Sequence, residues 1–355
     1  MSSSDVTREG LRGVRPGREA ETGAGVGRGR DRRRRGGRAE QPMVPQAEFT
    51  SYYGRPVLKP PGWKPLNIAG YFFLGGLAGA GSVLAAGAQL TGRPVTARAM
   101  KLSSLAAVSG SAAALVHDLG RPGRFANMLR VLKPTSPMSV GSWLLAAYGP
   151  AAGAAALLDR APAVVPLPLR RAGGAAATAA AALLGPAVAA YTAVLAADTA
   201  VPAWHDGHRE LPFVFVGSAA AAAAGMAMVV APVAENGPAR STAVLGAAVE
   251  NAATALLEHR IGVVAETYRQ GTAGRLMRAS QVLSAVGAAG ALFGGRSRAV
   301  SAAGGVALLA ASACTRFGVF HAGLESAKDP KYTVLPQRER LGRRRAGQSG
   351  ARGRV

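Results

Sequence analysis

Long apolar stretches, broken by short polar segments, occupy the chain from Leu66 to Phe317. Most approach the roughly 20 residues that a helix, rising about 1.5 Å per residue, needs to cross a hydrocarbon core. They predict about eight transmembrane helices, at residues 66–90, 97–116, 141–158, 174–197, 211–233, 241–257, 276–293 and 299–317. Turn formers and charges separate them: Gly92-Arg93-Pro94, Pro134 to Pro137, Asp159-Arg160 through Arg171, Pro202 to Pro212, Asn236-Gly237-Pro238, and Gly294 to Arg298. The alternation of a membrane barrel is absent. The expected fold class is all-α, a polytopic membrane protein with its helices in two four-helix bundles and disordered basic tails.

Two details refine this. Several spans are rich in Ala and Gly, and Gly75 and Gly79 have the four-residue spacing that lets helices approach closely in lipid, where packing rather than water exclusion holds them together. The sixth span is the most polar: Glu250, Thr254 and Glu258 recur at every fourth position and form one stripe. Acids facing lipid are costly, so this segment either lies at the interface or turns its stripe toward the bundle interior.

Composition agrees with a membrane location, because 49% of the residues are apolar, only 17% are charged, and the charges gather at the ends and between apolar blocks. The net charge of +23 does not point to nucleic acid, since much of it lies in two tails, Arg8 to Arg38 and Arg338 to Arg354. The first tail, with the run Arg32 to Arg35, has almost no apolar content and is expected to be disordered. No apolar core follows its arginines until well past Met43, so it does not read as a signal peptide, and Met43 is a candidate native start. The domains expected are a tail at 1–58, a membrane domain at 59–325 and a basic tail at 326–355. Cys314 is the single cysteine, too few for a disulfide or for the thiolates of an iron–sulfur cluster.

Three stretches carry more than composition. They are Tyr71-Phe-Phe-Leu-Gly-Gly-Leu-Ala-Gly-Ala-Gly81; His117-Asp-Leu-Gly-Arg-Pro-Gly-Arg-Phe125 continuing through Ser136-Pro-Met-Ser-Val-Gly-Ser-Trp143; and Tyr191-Thr-Ala-Val-Leu195 with Pro202-Ala-Trp204 and Leu211-Pro-Phe213. Together with Arg316-Phe317 and Gly323 to Pro330, they resemble the NrfD, or polysulfide reductase, membrane-subunit family. The resemblance implies a subunit of the cell membrane without haem or iron–sulfur cluster of its own. Such a subunit exchanges electrons between membrane quinone or quinol and a four-cluster iron–sulfur protein that serves a molybdopterin catalytic subunit. The five histidines agree, lying mainly at helix ends or in loops rather than facing one another as haem ligands would.

Topology gathers a candidate site. With an even number of spans, the start of the first, end of the second, start of the third and end of the fourth share one face, which collects Asn67, Tyr71, His117, Asp118, Ser139, Trp143, Tyr191 and Asp198. A quinone needs a flat apolar slot, hydrogen-bond partners at two carbonyl oxygens and a group that moves protons. Tyr191 and Asp198 lie about two turns apart on one helix face. The expected roles are Tyr191 as hydrogen-bond donor, Tyr71, Asn67 and Trp143 around the ring, and His117, Asp118 and Asp198 in proton handling. Asp118 could instead pair with Arg121 and fix its loop, and Tyr191 could be an interfacial anchor. Arg121, Arg124, Arg130 and Lys133 would suit docking of an acidic iron–sulfur partner. Glu250 and Glu258 are candidates for a proton path or for structural pairs. His205 and His208 flank Asp206 at a metal-compatible spacing, but two ligands are too few to predict a metal.

Both termini share that face, and by the positive-inside rule its greater Lys and Arg content places it in the cytoplasm, by a small margin among the short loops. Two other functions fit a polytopic chain. A secondary transporter would show broken helices at matching places in its two halves, whereas Gly185-Pro186 in the fourth span has no counterpart in the eighth. A passive anchor would tolerate loss of Tyr191 and Asp198.

Overall fold

The computed structural model describes residues 56–120, 123–162 and 164–352, together with 6–7 and 10–11. One unit spans residues 61–325, and the two ends of the chain form a second. In the larger unit, α1 (Pro65–Leu90) is followed by α2 (Pro94–Asp118), α3 (Arg124–Met128), α4 (Pro137–Leu158) and α5 (Gly174–Ala197), which is entered through a π-helical turn at Leu169–Gly173. Then come α6 (Pro202–His205), α7 (Leu211–Val230), α8 (Gly237–Arg260), α9 (Glu266–Arg269), α10 (Gly271–Phe293) and α11 (Arg298–Lys328).

Prolines start these helices where the sequence breaks suggest. Pro65, Pro94 and Pro137 open α1, α2 and α4, positions where the missing N–H is no loss and the fixed φ suits a helix. Gly92 and Gly120, at φ 69° each, follow the ends of α1 and α2 in the left-handed conformation that favours glycine. Arginines complete two other ends. Arg298 donates to the carbonyls of Met228 (2.8 Å) and Ala231 (2.6 Å) at the end of α7, and Arg240 donates to Ala291 (2.5 Å) and Leu292 (2.9 Å) at the end of α10. Helix ends leave such carbonyls unbonded, so both cations have a structural use beyond biasing topology.

Among the described residues, seven helices are long and apolar enough to cross a membrane: α1, α2, α4, α5 with its π-helical turn, α7, α10 and α11. The chain is thus a multi-pass helical membrane protein. The sixth expected span, α8, is a helix of 24 residues but falls short in apolarity, because Arg240, Glu250, Asn251, Glu258 and Arg260 all lie on it.

Helix α1 packs on α2, α5 and α7, α4 packs on α5, and α7 packs on α8. Small residues set these distances. A Cβ on Gly75 would sit 3.3 Å from the Ser111 hydroxyl of α2, and that hydroxyl donates to the Tyr71 carbonyl at 3.1 Å. A Cβ on Gly79 would run into the carbonyl oxygen of Gly185 in α5. The two glycines therefore serve different neighbours. Backbone cannot yield as a side-chain tip can, so Gly79→Val is expected to destabilise the protein by about 1–3 kcal/mol. Unfolding in mixed micelles measures this, and an unchanged midpoint would rule out the close α1–α5 contact.

In the unit formed by the ends, β1 (Val6–Thr7) and β2 (Gly10–Leu11) pair antiparallel, and the basic C-terminal segment forms α12 (Lys331–Arg352). The expectation of a disordered C-terminal tail is corrected here. Arg, Leu, Ala and Gln favour a helix, which propensity outweighs the charge of the segment. The run Arg32 to Arg35 and Met43 lie outside the described residues.

Candidate functional site

The first turns of α1, the end of α2, the start of α4 and the end of α5 meet at one end of the larger unit. Asn67 and Tyr71, one turn apart on α1, face the last residues of α2. The Asn67 amide nitrogen lies 3.1 Å from His117 Nδ1 and donates to Asp118 Oδ1 at 3.2 Å, and the Lys64 backbone N–H reaches the same oxygen at 3.3 Å. Asp118 is therefore held by α1. Arg121, its alternative partner, lies outside the described residues.

Beside this cluster is a small cavity of about 90 Å³, lined by Trp63, Tyr71, Leu115, Asp118, Met128, Met138, Tyr191 and Leu195 among others. The rings of Tyr71 and Tyr191 meet edge to face, with centroids 6.2 Å apart and planes at 73°. Gly141 makes room for Tyr191, since a Cβ there would lie 2.7 Å from the ring's Cδ2. The Tyr191 hydroxyl is buried without a hydrogen-bond partner. Two other deep tyrosines are satisfied: Tyr148 donates to the Ala78 carbonyl at 2.5 Å, and Tyr268 to that of Ala203 at 2.9 Å. A buried hydroxyl normally finds an acceptor, so one left over inside a cavity marks a place where a ligand acceptor would be favourable.

Of the expected members, Tyr71, Asp118 and Tyr191 line the cavity, Asn67 and His117 adjoin it through Asp118, and Ser139, Trp143 and Asp198 lie outside it. Trp143 is 41% exposed, because two residues beyond Gly141 the helix has turned its side chain outward. Asp198 follows the last residue of α5 and is exposed. Ser139 serves the loop before α4, donating to the Val131 carbonyl at 2.9 Å and accepting from the Lys133 N–H at 3.0 Å. Arg124, Arg130 and Lys133 are exposed on the segment joining α2 to α4. Trp63, Met128 and Met138 were not anticipated, and only their nearness to the motif residues could have suggested them.

A second polar cluster lies between α7, α8, α10 and α11. Glu250 is 3% exposed and accepts from the Thr315 hydroxyl, which in turn lies 2.5 Å from Ser280 Oγ. Arg316 is fully buried, donates to the Phe215 carbonyl at 2.6 Å and covers the Phe215 ring at 3.8 Å. Glu250 Oε2 and two guanidinium nitrogens of Arg316 have no hydrogen-bond partner. Glu258, in contrast, is paired with Arg269 at 2.7 Å near the helix end. The Nδ1 atoms of His205 and His208 bond the carbonyls of Ala197 (3.2 Å) and His205 (2.9 Å), so both rings are oriented by backbone.

The model of the family described as "Polysulphide reductase, NrfD" matches residues 62–247, more than half of the chain. The chain belongs to the NrfD family. No curated protein matches it. As an NrfD protein it is a membrane subunit of a redox complex. The NrfD match runs from α1 into α8, so it contains every residue of the cavity but ends before Glu250, Thr315 and Arg316.

Proposed function

We propose that this NrfD protein is the quinone-reactive subunit of a molybdopterin-type oxidoreductase complex in the cell membrane, exchanging electrons between quinone or quinol and an iron–sulfur partner. The observation that carries this reading is the unpartnered Tyr191 hydroxyl in an apolar cavity that Tyr71 and Asp118 also line. A quinone carbonyl is the acceptor which that hydroxyl lacks.

Reducing one quinone takes two electrons and two protons. The electrons come from the iron–sulfur partner, for which the exposed Arg124, Arg130 and Lys133 offer a basic docking segment. Tyr191 donates to one carbonyl oxygen. His117 and Asp118, joined through Asn67, pass protons from the exposed end of α2 to the cavity. The cavity is smaller than the roughly 150 Å³ that accommodates a benzene ring, so an entering head group displaces Met128 and the exposed Met138, whose unbranched thioethers move readily.

In this reading α8 is an eighth span, completing two groups of four. Its 24 residues reach about 36 Å, and its acid faces α11 rather than lipid. Glu250, buried against Thr315, is the proton-accepting carboxylate of this half, while Glu258 is a structural partner of Arg269. A transporter fits less well, because α5 carries Pro186 whereas α11 contains no proline.

An azido-quinone tests the site directly. Illumination of the purified complex is expected to label peptides carrying Met138 or Tyr191, with excess quinone competing. Gly141→Ala, which pushes the Tyr191 ring from its place, is expected to lose most of that label. Label confined to another subunit would overturn the reading.

A further inference from the structure

At the opposite end of α1 from the candidate quinone site, a polar cleft of about 500 Å³ lies between the start of α2, the end of α4 and the π-helical turn before α5. Arg93, Arg98, Lys101, Arg170 and Arg171 line it, against the single carboxylate of Asp159. That carboxylate is already shared, with Lys101 and Arg98 each 3.3 Å away. Arg170 Nε is buried without a hydrogen-bond partner. Five cations around one acid leave an excess of positive charge, and a guanidinium N–H out of water without an acceptor is costly. The cleft is thus complementary to an anion with several acceptor oxygens, the geometry that arginine recognises best.

Its surroundings say what kind of anion. An apolar groove of about 380 Å³, walled by residues such as Val83, Leu84 and Val216, shares Arg93 with the cleft. A second apolar groove, of about 760 Å³ and walled by Leu74, Leu77 and Leu102, shares Arg98 with it. Glu235, in the first groove, is occupied at the start of α2, where it accepts from the Thr96 N–H at 2.7 Å and the Val95 N–H at 3.5 Å. A free inorganic anion gains nothing from two apolar channels. A molecule with a phosphate head and two hydrocarbon chains fills all three spaces at once.

We propose that this cleft is a specific site for an anionic phospholipid, the phosphodiester lying among the arginines and one acyl chain running into each groove. The site is separate from the quinone cavity and depends on none of its residues. It ties the α1–α2 end to the π-helical turn of α5 by bridging cations that otherwise repel.

The full-length protein in neutral detergent tests this by its unfolding midpoint as phosphatidylglycerol, phosphatidylcholine or inorganic phosphate is added at equal phosphorus. Phosphatidylglycerol is expected to raise the midpoint saturably, and the other two are not. Arg170→Gln with Arg171→Gln is expected to weaken the apparent affinity about 25-fold, since each interfacial cation is worth about fivefold. Arg171 is exposed, so Arg171→Gln alone keeps the fold and is expected to show about fivefold. Equal stabilisation by phosphatidylcholine would overturn the proposal, as would undiminished affinity in either variant. A response to inorganic phosphate matching that to the lipid would also overturn it, by reducing the cleft to an adventitious anion site.

Discussion

Tyr191→Phe is expected to slow quinone turnover by the intact complex about 100-fold, the usual effect of removing one donor from a developing oxyanion, while leaving the protein as stable as before or more so. The two halves of this result come from the same fact. In the free protein the Tyr191 hydroxyl is buried without an acceptor, and such a group costs about 1–3 kcal/mol. Removing it relieves that cost, and the ring keeps its edge-to-face contact with Tyr71. A tyrosine kept as a structural anchor would give the opposite pair, normal turnover with lower stability. Steady-state oxidation or reduction of a short-tailed quinone, read beside thermal unfolding of the same preparation, separates them. Unchanged turnover removes Tyr191 from the site.

Glu250→Ala is expected to have the largest effect on stability, a loss of about 3–5 kcal/mol, because the fully buried Arg316 loses the acid whose charge acts on it and Thr315 loses its carboxylate acceptor. The guanidinium has few hydrogen-bond partners of its own: its Nη2 is bonded to the Phe215 carbonyl, and its Nε and Nη1 have none. Arg316→Met alone is expected to cost a similar amount by stranding the acid. The double variant is expected to recover at least half of the summed loss, since an apolar pair of similar volume leaves no unpaired charge. Unfolding midpoints of the three variants decide this. Strictly additive losses would mean that the two groups do not act on each other.

How much of this was legible beforehand differs from residue to residue. The approach of Asn67, His117 and Asp118 followed from counting spans, because two adjacent antiparallel helices must bring the start of one to the end of the next. Tyr71 and Tyr191 met for the same reason. Trp143 was gathered with the start of the third span, but that argument fixes height along the helix and not rotation; two residues past Gly141, about 200° round the helix, the ring turned outward. Asp198 read as sharing the face of Tyr191, but α5 ends at Ala197 and helical phase has no meaning beyond that point. The polar stripe on the sixth span was visible, whereas the identity of its partner was not. Thr315, whose hydroxyl donates to Glu250, lies 65 positions further along the chain, and no local pattern pairs them.

By itself the sequence determined the membrane class, the breaks at which prolines open helices, and the family, because apolar length, proline and glycine positions, and motif identity are local properties of the chain; where the last span stops, at Lys328 rather than Phe317, was not among them. Only the tertiary structure decided which hydroxyl was left without an acceptor, which threonine met the buried acid, and which cations gathered around one carboxylate. Those outcomes depend on rotational phase and on the distance between helices. Both are set by small-residue contacts such as Gly79 with Gly185, whose partners lie far apart along the chain.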